Sequence, residues 1–182
     1  MSNYPKPKQD SNIQAPEGSV VSSDPGSDFL ITVQIEQQFE DRVDADALDH
    51  LAVHVLQAEG RKGPLELGVI VTTDQEVRAL NVQYLGHDYD TDVISFSMAD
   101  EDAADGFLTP TDRPPYLGDV VISYDTAALQ ASDYGHSPAA EVDVLLVHGL
   151  LHLLGYDDHD PAERDRMHGR QDEVLAAFAR EG

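Results

Sequence analysis

From residue 29 onward the apolar positions fall into short runs whose period switches between two and about three and a half. Phe29, Ile31, Val33 and Ile35 recur at every second position, the spacing of one face of a strand. Leu48, Leu51, Ala52, Val55 and Leu56 follow at helical spacing, and Gly60 stops that helix. Leu65, Leu67, Val69 and Val71 return to a period of two as a second strand. Thr73 and Glu76 form a capping box that opens a helix with Val77, Leu80 and Tyr84 on one face. Thr91 to Met98 reads as a third strand and Tyr116 to Tyr124 as a fourth. Between them, residues 99–115 make an acidic loop containing Pro110, Pro114 and Pro115. A helix from about Asp125 to Tyr134 follows.

Ser137 caps the next helix with Pro138 in its first turn, and Gly155 gives it a left-handed stop after Leu154. Val142, Val144, Leu145, Leu146, Val147, Leu150, Leu151, Leu153 and Leu154 make it apolar nearly all round. Such a helix belongs in the middle of a domain. Asp160, Pro161 and Glu163 repeat the cap logic and open a last helix to about Arg180. The order predicts a single α+β domain: a four-stranded mixed sheet packed against about five helices, with a buried central helix. Residues 1–28 are rich in Ser, Pro, Asp, Gln and Asn without an apolar period. They read as a disordered N-terminal tail ahead of a domain at 29–182.

The chain has 182 residues, enough for one domain with a proper core, and its 41% hydrophobic content is that of a globular protein. No run approaches a membrane span and no signal-peptide pattern opens the chain, so a cytoplasmic location without a membrane partner is expected. Cysteine is absent, which excludes disulfides, thiolate metal sites and cysteine nucleophiles; a transition-metal site must use His, Asp or Glu. Asp and Glu total 35 against 11 Lys and Arg, a net charge of −24. That balance suits a solvated acidic surface and opposes unaided contact with a polyanion.

His148 and His152 lie four apart on the buried helix, so they share a face one turn apart and can reach one ion. Imidazoles in an apolar helix are costly to bury unless something satisfies them, and a metal does so while holding both neutral. The competing reading is a pair of core histidines bonded to backbone carbonyls. Past Gly155, the run Tyr156-Asp157-Asp158-His159 can fold a third ligand back towards the pair. Three protein ligands plus water is the arrangement of catalytic zinc. The helical zinc motif of metallopeptidases places a glutamate base directly after the first histidine; here that slot holds Gly149, which speaks against a peptidase of that type.

The run His148-Gly-Leu-Leu-His152-Leu-Leu-Gly155-Tyr156-Asp157 resembles the signature of the YbeY family. Leu80-Asn81-Val82-Gln83-Tyr84 with Asp88-Tyr89-Asp90-Thr91-Asp92-Val93-Ile94-Ser95-Phe96 is similar to the family's helix-to-strand block, and Leu117-Gly118-Asp119-Val120-Val121-Ile122-Ser123 to its next strand. The resemblance spans about residues 30–178. It implies a zinc-dependent, single-strand-specific endoribonuclease in ribosomal RNA maturation, at the 3′ end of the small-subunit RNA, and in ribosome quality control. Its partners would be single-stranded or ribosomal RNA and the ribosome or its proteins. No side chain is assigned a catalytic role; water activated by zinc is the expected nucleophile or base.

Two departures bear on the site. In the family the third ligand is a histidine six residues after the second; here that position is Asp158, and His159 comes seven after. Zinc accepts either type. His159 is the expected ligand, because three imidazoles leave the ion more positive, and Asp158 is the alternative. Leu85 stands where many family members carry an arginine suited to phosphate, and His87 follows it as a partial substitute or an exposed helix-end residue. Asp88, Asp92 and Asp119 are candidates for orienting a ligand histidine or for local turn bonds. His50, His54 and His136 read as surface residues. Two other functions compete: a zinc hydrolase of another substrate class, and a non-catalytic, zinc-stabilised ribosome-associated factor, which Leu85 and the acidic charge favour.

Overall fold

The computed structural model describes residues 18–22, 28–97 and 114–181. Five strands, β1 (Gly18–Ser22), β2 (Phe29–Glu36), β3 (Leu65–Thr72), β4 (Val93–Ser97) and β5 (Tyr116–Ser123), form one sheet in the order β1-β2-β3-β5-β4. The three inner strands run parallel, and the two edges, β1 and β4, pair antiparallel. Parallel neighbours need a crossover; α1 (Ala45–Ala58) supplies it between β2 and β3. The remaining helices are α2 (Asp74–Leu80), α3 (Tyr124–Tyr134), α4 (Pro138–Leu153) and α5 (Pro161–Glu181).

The expected α+β domain with a mixed sheet and five helices is therefore the fold. Four of its strands are those read from the apolar alternation. The fifth, β1, falls inside the segment expected to be a tail, and corrects that expectation for residues 18–22. Gly-Ser-Val-Val-Ser is too short and too polar to show a period. Its strand state comes from the free edge of β2, with Gly18 opposite Glu36 and Ser22 opposite Thr32. Residues 1–17 and 23–27 of the expected tail, and residues 98–113, which include nearly all of the acidic loop expected at 99–115, lie outside the described residues.

The caps form as the sequence dictates. Thr73 accepts from the Glu76 amide, Ser137 from that of Ala140, and Asp160 from those of Ala162 and Glu163. One sheet face, with Ile31, Val33 and Ile35 on β2, Val69 and Val71 on β3 and Val120 and Ile122 on β5, packs with α1 and α4 around the main core. On the opposite face Val77 of α2 meets Val121 and Ile94.

Gly149 of α4 lies directly against β4 and β5. A Cβ there would lie 2.6 Å from Val120 Cγ1, 3.0 Å from Ser95 Oγ and 3.2 Å from Val93 Cγ2. The Ser95 hydroxyl donates to the Gly149 carbonyl at 2.9 Å. The residue in the glutamate slot of the peptidase motif is thus glycine because the helix lies directly on the sheet, and any side chain would meet β5.

Candidate metal centre

His148 and His152 emerge half-buried from the one face of α4 not covered by the core. Their Nε2 atoms are 3.1 Å apart. Two ligands of a tetrahedral zinc, each at about 2.0–2.1 Å, lie roughly 3.3 Å apart. The outer nitrogens decide what faces the gap. His152 Nδ1 lies 3.1 Å from the Tyr156 carbonyl, which can only accept, so Nδ1 carries the proton. His148 Nδ1 lies 3.2 Å from Gln171 Oε1, with the same consequence. Both inner nitrogens then present lone pairs to one another. Burial, followed by the charge of His152, pushes the His148 pKa below its ordinary value, so His148 does not relieve the clash by taking up a proton. A cation between the two nitrogens does, and the donor set fits one.

The turn after α4 supplies a carboxylate. One ligand atom each from His148, His152 and Asp158 lie within 4.8 Å of one another. Asp157 sets this geometry. Its Oδ1 accepts from the backbone amides of Asp158 at 2.7 Å and His159 at 3.1 Å, and pairs with the His159 ring. This Asx turn directs Asp158 to the histidines and His159 outward, where its side chain is 86% exposed. The hydrogen bond between them raises the His159 pKa and lowers that of Asp157. His159, the expected third ligand, groups only with Asp157 and Asp158, whereas Asp158, the alternative, joins both helix histidines.

Remote elements hold the arrangement. Glu59, just past α1, accepts from the Tyr156 hydroxyl at 3.0 Å and from Arg170 Nε at 2.6 Å, tying the ligand turn to α1 and α5. Asp92, at the start of β4, accepts from Gln130 at 2.9 Å and is close enough to act on His148 electrostatically. Asp88 instead pairs with Arg78 on the surface. Asp119 bonds Tyr116 beside Gly68, on the sheet face opposite α4, and so is not an orienting residue for either histidine. Leu85 is 36% exposed, and His87 is exposed and stacked on Tyr89. Among the histidines expected at the surface, His50 is exposed, His136 pairs with buried Glu141, and His54 is half-buried against Phe178.

Sequence reasoning passed over Gln171, His168 and Arg164. They lie at positions i, i+4 and i+7 along α5, one helical face. Gln171 reaches His148, the His168 ring centroid is 6.2 Å from that of His148, and Arg164 bonds the Asp158 carbonyl. The shared spacing is visible in the sequence; which element that face meets is not.

The sequence profile described as Endoribonuclease YbeY matches residues 32–179. The chain belongs to the YbeY family. It is similar to Endoribonuclease YbeY of Roseiflexus sp. strain RS-1, at 41% identity over 84% of this chain and 94% of that protein. It is also similar to Endoribonuclease YbeY of Chloroflexus aurantiacus strain J-10-fl, at 44% identity over 81% of this chain and 94% of that protein. Among solved structures, the solution structure of TM1509 from Thermotoga maritima matches with a TM-score of 0.56 at 21% identity, over 83% of this chain and 90% of that one, which speaks to the fold. The matched span includes the two residues whose nitrogens converge.

Proposed function

We propose that this chain is a metal-dependent endoribonuclease that hydrolyses single-stranded RNA, with zinc held by His148, His152 and Asp158. Its task is ribosomal RNA processing, at the 3′ end of the small-subunit RNA, and ribosome quality control, in the cytoplasm and in association with the ribosome. The observation that carries the reading is the pair of converging ring nitrogens, 3.1 Å apart, with an oxygen acceptor beside each outer nitrogen. A bound zinc ion supplies Lewis-acid polarisation of a phosphoryl group and lowers the pKa of water.

The chain's own groups do the rest. Gln171 and the Tyr156 carbonyl fix the tautomers and orient both rings, as outer partners of metal-binding histidines generally do. Asp158 adds one negative charge, so the set is two imidazoles and a carboxylate, a combination known among catalytic zinc sites. His159, paired with Asp157, supports the turn rather than the ion. With no room for a side chain at Gly149, the peptidase reading loses its base.

The test is cleavage of a single-stranded RNA by purified protein, with and without zinc chelation, at low and high salt. The expected result is cleavage that chelation abolishes and zinc restores. Stoichiometric zinc without cleavage at any salt would overturn the enzymatic reading in favour of a non-catalytic ribosome-associated factor, the alternative that Leu85 and the −24 charge favour.

A further inference from the structure

The chain as a whole carries 35 acidic against 11 basic residues, but Arg164 to Gln171 inverts that balance. Within it lie Arg164, Arg166, Arg170 and His168, against one carboxylate, Asp165. These cations are used differently. Arg170 is committed to Glu59 and Glu173, and Arg78, far along the chain, to Asp88 and Asp90. Arg166 lies over the Tyr156 ring at 5.7 Å. Arg164 is exposed and, among the described residues, pairs with no carboxylate. Its Nε and Nη2 donate to the Asp158 carbonyl at 3.3 and 3.2 Å.

Those bonds fix where the guanidinium stands. They hold it against the backbone of a candidate metal ligand while Nη1 remains open; a guanidinium has five N–H donors in a planar fork. His168, one turn along the same face, is exposed with its ring 6.2 Å from that of His148. Two nearby acids are occupied, Asp157 by the turn amides and His159, and Asp160 by the cap of α5, while Glu163 and Asp165 flank Arg164 in the sequence. Beside the His148–His152–Asp158 cluster there thus stand Arg164, a cation with no carboxylate partner among the described residues, and the exposed His168 ring.

We propose that Arg164, assisted by His168, binds the backbone phosphate of single-stranded RNA next to the scissile linkage. The inference rests on the endoribonuclease reading and adds where the substrate lies: across the first turns of α5. His168 needs no added charge for this, since a neutral imidazole donates one hydrogen bond. Arg164 is a binding residue; it takes no proton in the reaction.

The experiment uses the full chain loaded with zinc and a short single-stranded oligoribonucleotide carrying non-cleavable linkages, titrated from 50 to 200 mM salt. Cleavage kinetics on the normal RNA run alongside. For wild type, affinity falls with salt; each phosphate contact to a single strand contributes about 0.7 to the slope of log K against log salt. Arg164→Gln is expected to lower affinity at 50 mM about tenfold, the value of one charge-assisted hydrogen bond. It should flatten the slope by about 0.7, and raise KM more than it lowers kcat. Arg164→Lys should recover the slope but not all of the affinity. Arg180→Gln, which removes the same charge from the last turn of α5, should leave the slope unchanged.

An unchanged slope in Arg164→Gln, with wild type binding and cleaving RNA, would overturn the proposal and leave the endoribonuclease reading intact. Zinc loss in step with affinity would also overturn it, because Arg164 would then act by holding the Asp158 turn. Wild type that neither binds nor cleaves RNA would overturn both.

Discussion

Replacing Gly149 with alanine tests the contact that brings the helix of His148 and His152 onto the sheet. The added Cβ would meet Val120 Cγ1 at 2.6 Å, about 1 Å inside the ordinary carbon–carbon separation. Val120 is fully buried and β-branched on a central strand, so it has little freedom to turn away. Overpacking of this kind costs about 1–3 kcal/mol. Parting α4 from β4 also weakens the Ser95–Gly149 hydrogen bond, worth about 1 kcal/mol. Against this stands the helix preference for alanine, about 1 kcal/mol. The net expectation is a destabilisation of about 1–3 kcal/mol.

Gly169 in α5 provides the internal standard, because nothing lies within 4 Å of a Cβ built there. Gly169→Ala should gain up to about 1 kcal/mol from propensity alone. For a protein of this size each kcal/mol moves Tm by roughly 2–4 °C. The two variants should therefore melt roughly 2–16 °C apart, in opposite directions from wild type. The assay is thermal unfolding followed by circular dichroism in chelator, so that metal linkage does not mask the difference. If Gly149→Ala melts at or above Gly169→Ala, the close packing of α4 on β5 is not what excludes a side chain at 149.

Removing an outer partner of a metal-binding histidine lowers affinity about 10–100-fold; losing a direct ligand should exceed that. Zinc titration is therefore expected to show Asp158→Ala weakened by more than about 100-fold and His159→Ala by less than about threefold; the reverse order would move the third ligand to His159. A second expectation concerns pH. Burial pushes the Asp143 carboxyl up to about 6, above its ordinary 3.8. Between those values the folded state holds a proton that the unfolded state has released, so this residue's contribution to stability falls as pH rises through that window. Asp143→Asn should accordingly raise Tm at pH 7.5 and leave it nearly unchanged at pH 4; an equal shift at both values would refute the burial argument.

Much of the protein was legible along the chain because it depends on backbone periodicity within one element. The every-second-residue pattern of β2 and β3 and the capping residues of α2, α4 and α5 follow from geometry that neighbouring residues impose on each other. So does the pairing of His148 with His152, since any α-helix places residues four apart on one face. The all-round apolar composition of α4 likewise required burial wherever the helix went.

Tertiary structure decided what depends on one element meeting another. β1 is a strand because β2 offers an unpaired edge. Asp119 faces away from His148 and His152 because β5 sets it beside Gly68 on the α2 side of the sheet. Gly149 reads as a missing glutamate in the sequence and as a packing requirement in the fold. That Asp158 rather than His159 groups with the two helix histidines turns on one Asx turn, a matter of side-chain rotation that spacing does not encode. Gln171, His168 and Arg164 reach the centre only because α5 lies across α4. Local periodicity is fixed by bond geometry over a few residues, whereas the direction of a loop side chain and the approach of a distant helix are set by packing across the whole domain.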